Sequence, residues 1–180
     1  GTLPTRFFST PNASADATPT ASALPSLSPE LAAQRATALA EPKPIKPPEA
    51  RQNTEEGAIN AVNYFFALYR YAFITGDTAD LAAMSEDACV FCKSTIDNAT
   101  KLHQGGGWAN PWETNLNDLY YIPPGEGKEY SGIQGTITSS ASTTVRGSGE
   151  TTEKSAETLS FFVALKYADE AWTIKGVSVE

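Results

Sequence analysis

The stretch from Asp87 to Asp97, "DACVFCKSTID", holds both cysteines of the chain, Cys89 and Cys92, in one C-x-x-C at a helix start. A redox dithiol uses this spacing because the positive end of a helix stabilises the first thiolate. Such motifs follow a strand in a βαβ unit, however, and here two helical patterns precede Asp87 with no strand between them. Zinc needs four ligands. His103, the single histidine, is the one residue that could join the pair for zinc, and a carboxylate would have to be the fourth ligand. His103 lies about ten residues further along the helix, roughly 15 Å away, too far to share one ion with the cysteine pair. In an oxidising compartment two cysteines three positions apart most simply form a local disulfide. Redox activity, a metal site and free thiols stand as the alternatives. A loop of four residues removes little chain entropy, so such a bond would pin the helix start rather than hold the fold.

A second set of candidates could line a pocket. Cys89, Cys92, Ile96, Ala99 and His103 recur in steps of three and four and share one helix face. Tyr64, Tyr69, Asp97, His103, Trp108 and Trp112 form the expected pocket lining, with Tyr71 and Tyr120 as further aromatics. Asp97 and Asp118 are the carboxylates to nominate for a base, although neither sits on a clear inward stripe. Core packing is the plainer explanation for the aromatics, and interaction with unpaired carbonyls in the last helical turn is the plainer one for His103. No residue set assigns a catalytic role, a metal or a cofactor. Asn12-Ala13-Ser14 and Asn98-Ala99-Thr100 match the glycosylation acceptor pattern, which short sequences meet by chance.

The elements that must position these residues begin after Asn53. Residues 1 to 53 carry nine of the twelve prolines and, beyond Phe7 and Phe8, no aromatic residue. Such a segment cannot bury enough apolar surface to offset the entropy of ordering it. It is expected to be a disordered Pro/Ala/Ser/Thr-rich tether, with one short helical attempt at "PELAAQRATALA" and extended polyproline conformation in "EPKPIKPPEA". Residues 54 to 180 form the domain. Its first helix opens at Asn53 or Thr54 and carries two adjacent apolar stripes, Ile59-Val62-Phe66-Tyr69-Phe73 and Ala58-Ala61-Phe65-Leu68-Ala72, so something must wrap around it. Gly76 ends it, and a short helix with Leu81 and Met84 follows. A third helix runs from Asp87 as N-cap to Gln104, stopped by Gly105-Gly106-Gly107.

From Trp108 the apolar period changes to two. Strands are expected over 112–122, 130–145, 156–167 and 171–179, with "YADEAW" as a hairpin turn and long loops at "IPPGEGKEY" and "RGSGETTEKS". The fold class is α+β, three helices packed in a curved antiparallel sheet. The net charge of −8 falls on the domain, since five basic and four acidic residues precede Thr54 and eight basic and seventeen acidic follow. An acidic surface without a Lys/Arg cluster argues against nucleic acid and against a grip on anionic lipid. No apolar run reaches the length of a membrane span.

"NTEEGAINAVNYFFALYRYAFITGDTADLAAMSEDACVFCKSTID" resembles the start of an actinobacterial family of secreted or lipid-anchored proteins of unknown function, whose members share T-x-E-G-A, T-G-D-T and S-x-x-x-C-x-x-C. The architecture resembles the cone-shaped fold of nuclear transport factor 2 and ketosteroid isomerase relatives, in which "ADEAWTIKGVSV" would be the closing hairpin. The resemblance implies attachment outside the membrane through an acylated cysteine that would precede Gly1, followed by the tether. It carries over no catalytic residue.

The expectation is therefore a non-enzymatic cell-envelope domain that binds an envelope protein or a small apolar ligand, held off the membrane by a tether reaching about 40 Å. A small-molecule enzyme or carrier using the cone pocket is the first alternative, and a dithiol oxidoreductase the second. Self-association through the open sheet face is a further expectation drawn from the fold.

Overall fold

The structure is a computed structural model and describes residues 27–180. Helix α1 spans Pro29–Leu39, started by the Ser28 hydroxyl, which accepts from the Leu31 N–H, and by Pro29 in the first turn. The central helix α2, Glu55–Thr75, is capped by Thr54, whose hydroxyl accepts from Gly57 N at 2.9 Å, and it ends at Gly76 with φ of 82°. Ten of its residues are buried, including all of the Ala58-Ala61-Phe65-Leu68-Ala72 stripe, whereas Ile59, Tyr69 and Phe73 of the other stripe are only partly buried. Short α3, Ala79–Ala83, leads to α4, Val90–Gln104. The cap of α4 is Cys89 rather than Asp87: the Cys89 Sγ accepts from Cys92 N, and Asp87 stays in the preceding turn.

Among the described residues the four expected strands prove to be seven, in two antiparallel sheets. The larger sheet is ordered β2-β3-β6-β7 from Thr114–Ile122, Ser131–Ser139, Glu157–Ala168 and Ala171–Val179; the smaller is ordered β1-β4-β5 from Trp108–Ala109, Ser142–Val145 and Thr151–Lys154. What reads as one strand from residue 130 to 145 breaks at Ser140-Ala141, where the chain leaves one sheet for the other. Strand β5 falls in a segment expected to be a loop, because all four of its residues are exposed and carry no apolar alternation. Only its pairing with β4 makes it a strand. A bulge in β2 puts Asp118 at φ 55°, which turns Leu119 and Tyr121 back toward the core. The architecture is the expected α+β one, helices packed against antiparallel sheets.

The main core lies between α2, α4 and the larger sheet, around Phe65, Leu68, Ile133, Val163, Leu165 and Ile174. The segment between α3 and α4 is wired to β7 by backbone: Ile174 N donates to Met84 O, and Glu86 N donates to Ile174 O. A second, smaller cluster joins Ala38, Ile74, Trp108, Ala109 and Val145, covered by Leu27 and Leu31.

That second cluster corrects the domain boundary expected at residue 53. Helix α1 packs on β1, and residues 40 to 52 run back across the molecule as a strap. Pro47 has the polyproline geometry expected there, φ −64° and ψ 145°. Yet the strap is fastened rather than free. Arg70 pairs with Glu41, Ala50 is buried, and Tyr167 and Trp172 donate to the carbonyls of Arg51 and Gln52 at 2.9 and 2.8 Å. Gly57 permits this approach, since a Cβ there would sit 1.9 Å from Gln52 O. The composition argument fails because the segment needs no core of its own; side chains from α2, β6 and β7 satisfy its polar groups. The rest of the expected tether, residues 1 to 26 with Asn12, lies outside the described residues.

Candidate functional site

Where the two sheets diverge, a cavity of about 230 Å³ opens between them against α2. Its floor is apolar: Phe66 from α2, Phe91 from α4, Ile137, Leu159 and Val179 from the larger sheet, with Trp112 at one side. Its polar groups come from the two places where the chain changes sheets. Ser139, Ser140 and Ser142 flank the first crossing; Lys154, Ser155 and Glu157 flank the second. Thr114 completes this rim. A strand that must bend out of one sheet into another has unpaired backbone at the bend, and small hydroxyl residues suit it. The Ser140 hydroxyl serves that purpose, accepting from Glu113 N at 2.9 Å.

Tyr69 carries the one aromatic hydroxyl in the lining. Burial pushes its pKa up, while the Lys154 charge pulls it down and the Glu157 charge pushes it up. The phenol is therefore a proton donor at neutral pH, within electrostatic reach of both charges, and among the described residues it has no hydrogen-bond partner. Lys154 and Glu157 pair at 2.9 Å. That hydrogen bond raises the lysine pKa against the opposing effect of burial. Both groups are partly exposed, so the pair marks the mouth.

Of the six residues expected to line a pocket, Tyr69 and Trp112 line this cavity, and Tyr64 lines a separate, smaller one with Met84 and Trp172. Trp108 is fully buried in the second cluster, its indole N–H donating to Asn110 Oδ1. It is core because α1, read as part of a tether, covers it. Tyr64 faces the opposite side, under Lys46 of the strap. Asp97 is exposed on α4, and Asp118 is exposed at the bulge. His103 fastens two helix ends together: its Nε2–H donates to Phe73 O at 2.8 Å, and its ring fills the space where a Cβ on Gly76 would lie. Burial lowers the His103 pKa, only partly offset by that hydrogen bond, with Arg35 lowering it further. Sequence reasoning missed Phe91 and the Lys154–Glu157 pair. The signal for Phe91 was its place inside the C-x-x-C; the pair lies in a segment without periodicity.

Cys89 and Cys92 are disulfide-bonded and both fully buried. A buried disulfide offers no sulfur to an attacking thiolate, which weakens the oxidoreductase alternative. Among the described residues no three of the His, Cys, Asp and Glu side chains converge in a metal-binding group, and no helix is long and apolar enough to cross a membrane.

Residues 30 to 178 match the model of a family of unknown function, DUF6318. The chain belongs to this family. The matched span starts within α1, so the strap and the second cluster are part of what the family model covers. The motifs singled out in the sequence are structural here: Thr54 and Gly57 start α2 and seat the strap, Gly76 packs on His103, and the Ser85 hydroxyl donates to Leu81 O at 2.6 Å. A comparison with curated protein sequences finds no match. Among solved structures the chain is similar to the intermembrane space region of the chloroplast protein ARC6, at 15% identity and a TM-score of 0.56 over 71% of this chain and 97% of that one. It is also similar to Aln2 from a Streptomyces species, at 11% identity and a TM-score of 0.46 over 72% and 93%. At 15% identity the likeness to the ARC6 region speaks to fold alone.

Proposed function

We propose that this domain of the DUF6318 family binds a small ligand in the cavity between its sheets and works outside the cytoplasm, with the segment before Pro29 as its spacer from an anchor. The observation that carries the reading is the Tyr69 hydroxyl, without a hydrogen-bond partner among the described residues, over the apolar floor of a cavity whose other polar groups sit at the rim. Polar groups at such depth are normally satisfied within the protein, and a ligand acceptor would satisfy this one. The ligand is thus an apolar body with one hydrogen-bond acceptor. The chamber reads as a carrier or sensor site rather than a catalytic one, because its one carboxylate, Glu157, is engaged by Lys154 at 2.9 Å. The compartment rests on the buried disulfide, which persists where the medium is oxidising. Intact mass of protein recovered from its own host, before and after alkylation, should show both cysteines blocked.

The test is an NMR titration of the full chain with small monocyclic ketones and phenols. Saturable shifts confined to Tyr69, Phe91, Trp112 and Lys154 are expected. Tyr69→Phe should weaken binding of the ketones about two- to tenfold, the worth of one neutral hydrogen bond. Shifts that fail to saturate, or that spread over the strap, would overturn the reading.

A further inference from the structure

The cavity has a wall that the disulfide builds. Phe91 lies between the two cysteines, in the first turn of α4. Its neighbour Val90 is 76% exposed, whereas Phe91 turns inward, its ring 5.8 Å from that of Tyr69 and tilted by only 19°. Phe65 backs it at 6.4 Å. The first turn of a helix lacks the backbone bonds that hold later turns. Here the fastening is the Cys89–Cys92 bond together with the Cys89 Sγ that accepts from Cys92 N. Both sulfurs are buried beneath the wall, so the bond acts as an internal brace.

Size and shape then restrict the occupant. A cavity of about 150 Å³ takes a benzene, and ordinary small-molecule sites run from about 300 Å³ upward. At 230 Å³ this one fits a single ring with a short substituent. The near-parallel Tyr69 and Phe91 rings favour a planar ring that continues their stack over a puckered one of equal size. Resting on the pocket reading above, we propose that the site selects a flat, monocyclic ligand bearing a hydrogen-bond acceptor, and that the Cys89–Cys92 disulfide sets this selectivity by holding Phe91 against Tyr69. Phe91 is the specificity-determining residue and the cysteines are positioning residues.

Acetophenone and cyclohexyl methyl ketone carry the same acceptor and differ in ring planarity, so the ratio of their affinities reads the wall directly. Full-length protein should prefer acetophenone by about three- to tenfold, the increment of one aromatic stack. The ratio should fall to about one in Cys89→Ser/Cys92→Ser, with the rest of the amide spectrum unchanged. Phe91→Leu, which keeps the disulfide and the bulk, should lose the preference equally, and combining all three changes should lose no more. Equal binding of the two ketones by the unaltered protein, or a preference that survives either variant, overturns the proposal while leaving the pocket reading intact. Absence of saturable binding by both ketones overturns the two together. Should the double cysteine variant not fold, the same ratio measured on the unaltered protein after reduction by a phosphine decides: a fall to about one is expected, and a preference that survives reduction overturns the role of the disulfide.

Discussion

The two hydrophobic clusters are built on different principles. The larger joins α2 and α4 to β3, β6 and β7 through a continuous set of buried aromatic and branched side chains. The smaller has five buried residues and holds together a helix, a two-residue strand and the four-residue strand β4. One could stand as a core by itself. The other leans on the first through α2, whose end carries Ile74 into the smaller cluster and Phe73 against both. The cavity lies on the seam, floored by the large cluster and rimmed by the corners that lead to the small sheet. A rigid half paired with a lightly built half is how binding sites keep a fixed floor and a yielding rim.

The largest effect should come from the rigid half. Phe65 is fully buried, and its ring meets Phe66 edge-on at 5.4 Å. Phe65→Ala should cost about 3–5 kcal/mol in urea unfolding; a loss below about 1 kcal/mol would mean that α2 is not the centre of the core. Next comes the lightly built half. A chain begun at Thr54 loses α1 and the strap, uncovers Trp108 and strands Arg70 without Glu41. It should be about 2–4 kcal/mol less stable than the full chain, from apolar area returned to water. Equal stability would restore the tether reading of residues 27 to 53.

That second experiment also marks where sequence reasoning stopped. Helix α2, the Gly76 stop and the last hairpin were legible because one chain segment carries each whole pattern: two stripes, a left-handed glycine, alternating residues around a turn. The strap was illegible because its stability lies in partners elsewhere, the Tyr167 and Trp172 donors above all. Trp108 was misjudged for the same reason, since nothing near it in sequence says that Ala38 and Leu31 cover it. In the site, Tyr69 and Trp112 could be named from residue type, but Lys154 and Glu157 reach the cavity only through a sheet crossing that leaves no periodic trace.

A smaller effect concerns pH. His103 has its folded pKa lowered by burial, so the unfolded chain binds a proton more readily. Stability should be full above the unfolded value of about 6.5 and fall as pH drops through it toward the folded value. His103→Gln should flatten this dependence in melts between pH 7.5 and 5; an unchanged slope would assign it to another group. The smallest effect lies in the β6–β7 turn, where Asp169 and Glu170 both have positive φ, 53° and 61°. Glycine suits the second position of such a turn, so Glu170→Gly should raise stability by about 0.5–1 kcal/mol. A loss would show that the Glu170 side chain makes a contact outweighing its backbone strain.

The central claim is that a ligand occupies the seam and ties the two halves together. Amide hydrogen exchange of the full chain, with and without saturating acetophenone, tests it most directly. Ligand that binds only the closed seam should slow exchange in Ser142–Val145 and Thr151–Lys154 by the factor 1 + [L]/Kd, with little change in the already protected β3 and β6. Unchanged exchange in those two short strands, with acetophenone bound, would contradict the account and move the site away from the cavity.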